Sequence, residues 1–572
     1  MKMQTRVLGI LAAVGLAACP SLAIPPALDR VPADTPVVIG IRDVSHLSGG
    51  IKQWAGMFVP EEEMAPFALA EQLLSTPGLN SEGSAAVAVT FGEDGTPQEP
   101  VLVLSVSDYD AFVEAMQGQS GDEVATIRVM EDEGYVKDLG DGFMALGPDF
   151  DAVSAFAGEA GQLGSHRERL GEVAAAAAED ADAFVVVDVE SMRPFLEQGL
   201  EQMQQGMAMA AMMGGEAVQG QMEMMMNAAR SVVNDGRTAF VGMSTGESGL
   251  SLDLAAQFKD DSQTGSVFAE GGNAAELMEK LPAMEYVFAF AIDTSSEGLR
   301  NLMSEASKLN QGMSFGASMG KLAELHDGQA MVVGTTPGLL AGGLFTNTVQ
   351  YTRSDDPEQL LNAYEEVITG INGEAQQGMK FTTTFERDAA MAGDTPLHAY
   401  GLTMDVDPND ENAMAASMAL QQMSMIFGGE AGPKGYLALT DGGMYQTMTR
   451  NTALITKALE GGESLDGNAG IGEIAGELPE SRTAEAYVNV KGVIDMVAPM
   501  LAMMGGGVSF DDVPEDLHPI GASLTTGGAG MHGRLFVPGD VIELFSSIAE
   551  QLEGAEDEWE EVEEEPESKP RF

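Results

Sequence analysis

The chain is 572 residues long and 44% apolar, and its 89 acidic residues against 28 basic ones leave a net charge of −61. Such a length accommodates several domains at about 150 residues each, with enough apolar content for packed cores. A field of this sign excludes nucleic acid as a partner and disfavours anionic lipid surfaces, because both are bound through the Lys and Arg contacts that are scarce here.

In chain order, the first feature is an export signal. Lys2 and Arg6 supply the positive end, and "VLGILAAVGLAA" (7–18) supplies an apolar core too short to span a bilayer. "SLA" (21–23) offers a small–x–small cut between Ala23 and Ile24. "LAAC" (16–19) instead has the form recognised for lipidation at Cys19, the only cysteine. Pro20 directly after that cysteine favours the cut after Ala23. Either route leaves no thiol for a disulfide, so stability in an oxidising compartment must come from the packed core. The expected location is the periplasm or the extracellular space, with a membrane-tethered lipoprotein as the alternative. No later segment approaches the roughly 18 apolar residues of a spanning helix, so no transmembrane helix is expected in the mature chain.

A cell of strand, Asp/Ser turn and helix then recurs. It appears in "VVIGIRDVSHLSGGIKQWAGMF", "VLVLSVSDYDAFVEAM", "AFVVVDVESMRPFLEQGL", "YVFAFAIDTSSEGLRNLM", "VQYTRSDDPEQLLNAYEEV" and "AYVNVKGVIDMVAPML". Asp and Ser side chains at these turns can cap the first helix amides, and Pro194 and Pro357 fall near helix starts. Between the cells lie hairpin candidates with Gly-centred turns, at "AAVAVTFGEDGTPQEPVLVLSVS", "TAFVGMSTGESGLSLDLAAQF" and "IGASLTTGGAGMHGRLFV". The series nearly repeats: "VVIGIRD" (37–43) and "VFAFAID" (287–293) both end in Asp at the turn, and "AFVVV" (183–187) and "AYVNV" (486–490) occupy corresponding places. The expected fold class is therefore α+β. Two pseudo-repeated halves (24–265 and 266–552) of mainly antiparallel sheet carry helices packed on one face. The segment 553–572 has ten acids between Glu553 and Glu567 and reads as a disordered acidic tail.

Candidate chemistry is sparse. Nine of the 38 methionines fall between Met203 and Met226, and thioether sulfur is a soft ligand for Cu(I). Met207, Met209, Met212, Met213, Met222, Met224, Met225 and Met226 are the candidate ligands. The competing reading is that methionine fills irregular apolar gaps, and the scatter of Met414, Met418, Met496, Met500, Met503 and Met504 favours core filling. The run "DVDPNDEN" (405–412) resembles the opening of a calcium loop, with Asp405, Asp407 and Asn409 as ligands. It lacks the glycine at position six and the glutamate at twelve, and capping of a helix over 411–427 by Asn409 or Asp410 explains it more simply. His46, His166, His326, His398, His518 and His532 show no metal-binding spacing. "GMSTG" (242–246) places Ser244 at a nucleophile position by the letter, but a strand follows where the elbow requires a helix. "SMGK" (318–321) puts Ser318 and Lys321 one helical turn apart without the companion motifs. No phosphate loop is present.

The segment "RVPADTPVVIGIRDVSHL" (30–47) resembles the start of an uncharacterised family of exported bacterial proteins, a domain of unknown function opening with a "PADT"-type segment. The resemblance implies a cell-envelope or secreted location and no established activity. The sequence thus points to non-catalytic binding or scaffolding, with no cofactor and with an unknown envelope protein or small ligand as partner. The alternatives are a soft-metal (Cu(I)) or divalent-cation binder, and a serine hydrolase built on an unfamiliar motif.

Overall fold

A computed structural model describes residues 24–551 except 56–73, 93–95, 120–122, 130–131, 202, 205–225, 227–228, 247, 310–321, 323, 339–341, 377, 411, 504–509, 511–512 and 550. The acidic segment 553–572 and the signal segment 1–23 lie outside the described residues. The chain forms a mixed α+β structure of two compact units. One comprises residues 1–270 with 526–534, the other residues 271–525 with 535–572.

Short runs rich in Val, Ile and Leu make the strands of the first unit, as expected for side chains that fit a pleated surface. They are β1 (Val37–Ile41), β2 (Ala85–Val89), β3 (Val101–Ser105), β4 (Ala125–Val129), β5 (Asp132–Gly140), β6 (Phe143–Gly147), β7 (Ala183–Asp188), β8 (Gly236–Thr245) and β9 (Gly249–Phe258). Their spatial order is β4-β5-β6-β3-β2-β1-β7-β8-β9, with every pairing antiparallel. The second unit holds β10 (Tyr286–Asp293), β11 (Gly328–Gly334), β12 (Thr348–Arg353), β13 (Ala375–Gln376), β14 (Met379–Ala392), β15 (Thr395–Val406), β16 (Tyr436–Thr440), β17 (Gly443–Thr447), β18 (Ala484–Val488) and β19 (Ile520–Gly527). Here the order is β13-β14-β15-β16-β17-β12-β11-β10-β18-β19, again antiparallel throughout.

All six strand–helix cells form. Asp108 caps the helix Tyr109–Ala115 by accepting the Ala111 amide, and Asp356 caps Pro357–Gly370 by accepting that of Gln359, with Pro357 in the first turn. Pro194, by contrast, lies inside the helix that begins at 189.

The expectation of helices on one face is overturned. In the first unit, the helix Leu163–Asp180 covers Val38, Ala86, Val103, Phe184 and Phe240. The helices Val44–Ala55 and Tyr109–Ala115 pack over Ile41, Ala85 and Leu104, which have the opposite strand parity and so lie on the other face. In the second unit, helices Thr452–Leu459 and Ala469–Glu477 cover Ala289, Val332 and Ala438. The helix Pro357–Gly370 packs on Leu437 and Met444 of the opposite parity. Apolar residues at both parities give helices a surface to pack on from either side.

Candidate functional site

In an antiparallel ladder, residues directly opposite one another share a face. Ile39 of β1 lies opposite Val87 of β2 and Val185 of β7; Val185 faces Val241 of β8, which faces Leu254 of β9. The flanking rungs are equally apolar, with Val187, Ala239 and Ala256 on one side and Ala183, Met243 and Leu252 on the other. No polar or charged side chain interrupts these rungs. Among the described residues, the helices Val44–Ala55 and Tyr109–Ala115 cover the end near Ile41, and Phe195 of the helix that begins at 189 stacks on Phe91 just beyond β2. At the β8–β9 end, Val241 is 51% exposed and Leu254 61%, with Leu252 beside them at 40%.

The other face of the same strands is buried and carries the polar groups. Asp253, between Leu252 and Leu254 on β9, is completely buried. Its Oδ1 takes the Nε2 of His532 at 2.6 Å and the Nε–H of Arg534 at 2.7 Å. Arg534 also reaches Oδ2 of Asp253 at 3.3 Å and Oδ2 of Asp180 at 3.1 Å. Burial by itself would lower the Arg534 pKa, but the bonds to Asp253 and then Asp180 outweigh it and raise the pKa further. Nearby, the Gln257 amide donates to the Gly528 carbonyl at 2.7 Å and the Phe258 amide to that of Ala529 at 2.9 Å, holding 526–534 to this unit.

The "RVPADTP" segment is tied to the helix Leu163–Asp180. Arg169 donates to the carbonyls of Ala33 and Thr35, both at 2.8 Å, and His166 Nε2 bonds the Val31 carbonyl at 2.9 Å. Burial lowers the pKa of both side chains. Asp29 accepts the amides of Gly161 and Leu163 at the start of the same helix. Arg30 bonds Asp141 at 2.6 Å and lies over the Phe143 ring. These residues anchor the segment and present nothing to a ligand. A groove of ≈ 620 Å³ runs along this helix, and among the described residues its lining comes from the helix alone, including Arg167, Glu168, Glu172 and Glu179.

His46, at the start of the helix Val44–Ala55, is buried with neither ring nitrogen hydrogen-bonded; its Nε2 stands 3.8 Å from Oδ1 of Asp182. Burial lowers the His46 pKa to about 4 and raises that of Asp182 to about 6. In the second unit, Glu485 is buried against Arg482 at 2.8 Å and Tyr487 at 3.0 Å, and burial raises its pKa. Asp293 at the end of β10 accepts the amides of Asn273 and Ser295 and pairs with Arg353 at 2.6 Å. Burial opposes ionisation there, but those bonds hold its carboxyl below the usual range. His518 lies between Asp540 at 2.9 Å and Glu473 at 2.8 Å, hydrogen bonds that raise its pKa. The two carboxylates engage opposite ring nitrogens and do not converge on a common point.

The expected site residues fare as follows. Met207, Met209, Met212, Met213, Met222, Met224 and Met225 lie outside the described residues, as do Ser318 and Lys321. Met226 is described and buried. Asp407 accepts the backbone and side-chain amides of Asn409, and Asp410 those of Asn412, so these oxygens serve local turns. Asp405 is exposed on β15 opposite Lys380. The helix itself runs Ala413–Ile426, and its N-cap position is Asn412, which makes no side-chain cap bond; neither Asn409 nor Asp410 caps it. Ser244 sits on β8 and donates to the Asp180 carbonyl at 3.2 Å, with β9 following, so the hairpin reading of "GMSTG" holds. Met414 and Met418 are not core fillers: they are 81% and 64% exposed. Among the described residues, no group of three or more His, Cys, Asp or Glu side chains could hold a metal ion. None of their helices is long and apolar enough to cross a membrane.

Asp253, Arg169 and Arg30 were invisible to motif reasoning. The strict alternation of "GLSLDLAAQ" does mark Asp253 as belonging to a different face from Leu252 and Leu254. Compared with known proteins, the chain matches no family model, no curated protein and no solved structure.

Proposed function

We propose that this is an exported, non-catalytic binding protein whose first unit takes an aliphatic chain on the open face of β7–β9. The observation that carries the reading is the inversion of that sheet. Its polar parity, with Asp253, is sealed under a helix, while among the described residues Val241, Leu252 and Leu254 of its aliphatic parity are left exposed. An extended peptide would bring backbone amides to a surface with no hydrogen-bond partner, at about 1–3 kcal/mol for each group left unsatisfied. An alkyl or acyl chain brings no such groups. Covering Val241, Leu252 and Leu254 contributes on the order of 2–4 kcal/mol, enough for a carrier that must also release its cargo.

Export is supported by Lys2, Arg6 and the apolar run 7–18, and by the small residues before Ile24. Ile24 itself is buried with Ala27, Leu28 and Val31, so a cut after Ala23 leaves the packed core intact. The two units further support a pseudo-repeat. The order β4-β5-β6-β3-β2-β1-β7-β8 of the first has a counterpart in β15-β16-β17-β12-β11-β10-β18-β19 of the second, with the helix Ala413–Ile426 standing where the first unit has the β4–β5 hairpin and with β13 and β14 added before β15.

The test uses mature protein from an exporting host, with a mass beginning at Ile24 and no acyl adduct. A fluorescent long-chain fatty acid is expected to bind it saturably, and Leu254→Lys is expected to weaken binding at least tenfold with the unfolding midpoint unchanged. Equal binding by the variant removes the assignment of this face. Loss of a dimer in Leu254→Lys, with no fatty-acid binding by either protein, would show instead that a second copy covers it.

A further inference from the structure

We propose that Met414 and Met418 form a soft-metal site for one monovalent ion of the Cu(I)/Ag(I) class on the outer face of the helix Ala413–Ile426. The helix turns Ala416 inward against β15, fully covered, and leaves Met414 and Met418 on the opposite side, 81% and 64% exposed. Methionine elsewhere in this chain does fill cores: Met144 and Met444 are completely buried and Met278 nearly so. Core filling therefore does not account for this pair.

Spacing and chemistry point to a bidentate donor. Residues four apart on a helix have Cβ atoms about 5–6 Å apart on one face, and the flexible thioether arms can close on an ion between them. Thioether sulfur selects soft monovalent copper over hard cations. The helix "AMAASMALQQMSMI" contains no charged side chain, so no carboxylate on it competes for the site with a hard ligand. The surrounding field, at −61 for the chain, raises the local concentration of cations. Cu(I) and Ag(I) accept two sulfurs in line, so the pair needs no third protein ligand. No electron transfer is involved; the ion arrives and leaves as a monovalent cation.

The test uses full-length mature protein carrying 13C-methyl methionine, titrated with Ag(I) as a redox-inert probe. The Met414 and Met418 methyl signals, assigned from Met414→Leu and Met418→Leu, are expected to shift together and saturate at one equivalent. Either leucine variant, which keeps helix propensity at an exposed position, is expected to weaken the response of the remaining methionine at least tenfold. Cu(I) held by a colorimetric chelator under reducing conditions should give the same stoichiometric step. Independent shifts of the two methyls, or no shift while other methionines respond, overturns the proposal. The readout does not depend on the aliphatic face, so failure of one leaves the other standing.

Discussion

At the residue scale, the most informative pair is His46 and Asp182, because each is displaced by burial and not by the other. Burial, against the pull of Asp43, takes His46 down to about 4. Burial raises Asp182 to about 6 against the Thr245 amide and Arg42, with Asp43 adding to the rise. The signs oppose. His46, lowered from 6.5, contributes stability present above 6.5 and lost as pH falls through 4. Asp182, raised from 3.8, contributes stability present below 3.8 and lost as pH rises through 6. Between about 4 and 6 the unfolded chain holds the proton on the imidazole and the folded chain holds it on the carboxyl. Proton counts match, and the pair contributes almost no slope there. His46→Gln should expose the Asp182 effect, so that stability falls with rising pH by about 1 kcal/mol per unit near pH 5 relative to the parent. Asp182→Asn should give a slope of opposite sign. Urea unfolding from pH 4 to 7 reads both, and parallel curves for all three proteins would refute the shared-proton account.

At the element scale, the strand–helix cells were legible because their signals are local. Asp108 and Asp356 cap, Pro357 starts, and Val/Ile runs extend. What alternation alone does not reveal is which parity faces the core. "LSLDLAAQF" separates Leu252 and Leu254 from Asp253, and ordinary bias would send the aspartate to water. His532 and Arg534, some 280 residues later, neutralise it under a helix instead, and no local window contains that fact. The same limit hid the helices on both faces and the tie between Arg169 and the "PADT" segment. The helix Leu163–Asp180 shows a further non-local constraint. Gly171 breaks it with φ 72° and ψ −177°, a conformation open to glycine, and a Cβ there would meet Gln257 Oε1 at 2.2 Å. That glycine lets the helix bend over the sheet carrying Asp253. Gly171→Ala should destabilise the protein by about 1–3 kcal/mol, seen as a lower urea midpoint at unchanged slope. A neutral or stabilising outcome would mean the bend is not required by the sheet beneath it.

On the scale of the whole molecule, net charge was the plainest feature of the sequence and its consequence the least local. Among the described residues burial withdraws few charges of either sign, Arg30 and Arg534 against Asp253, Asp293 and Glu485, so the acidic excess stays at the surface. Self-repulsion of this kind opposes the compact state and is screened within about 10 Å at 0.1 M salt. Raising NaCl from roughly 10 mM to 500 mM should therefore raise Tm by several degrees, most steeply at the low end. Cation identity separates diffuse screening from capture. Dispersed carboxylates of the kind seen at Asp405, Asp407 and Asp410, which serve turns or lie opposite a lysine on the neighbouring strand, feel ionic strength and not the coordination preferences of Ca2+. Tm plotted against ionic strength should then fall on one curve for NaCl and CaCl2 above about 100 mM, where screening dominates. A calcium-specific step saturating at micromolar concentration would instead mean that some of the acids converge, and would transfer the acidity from solvation to cation binding.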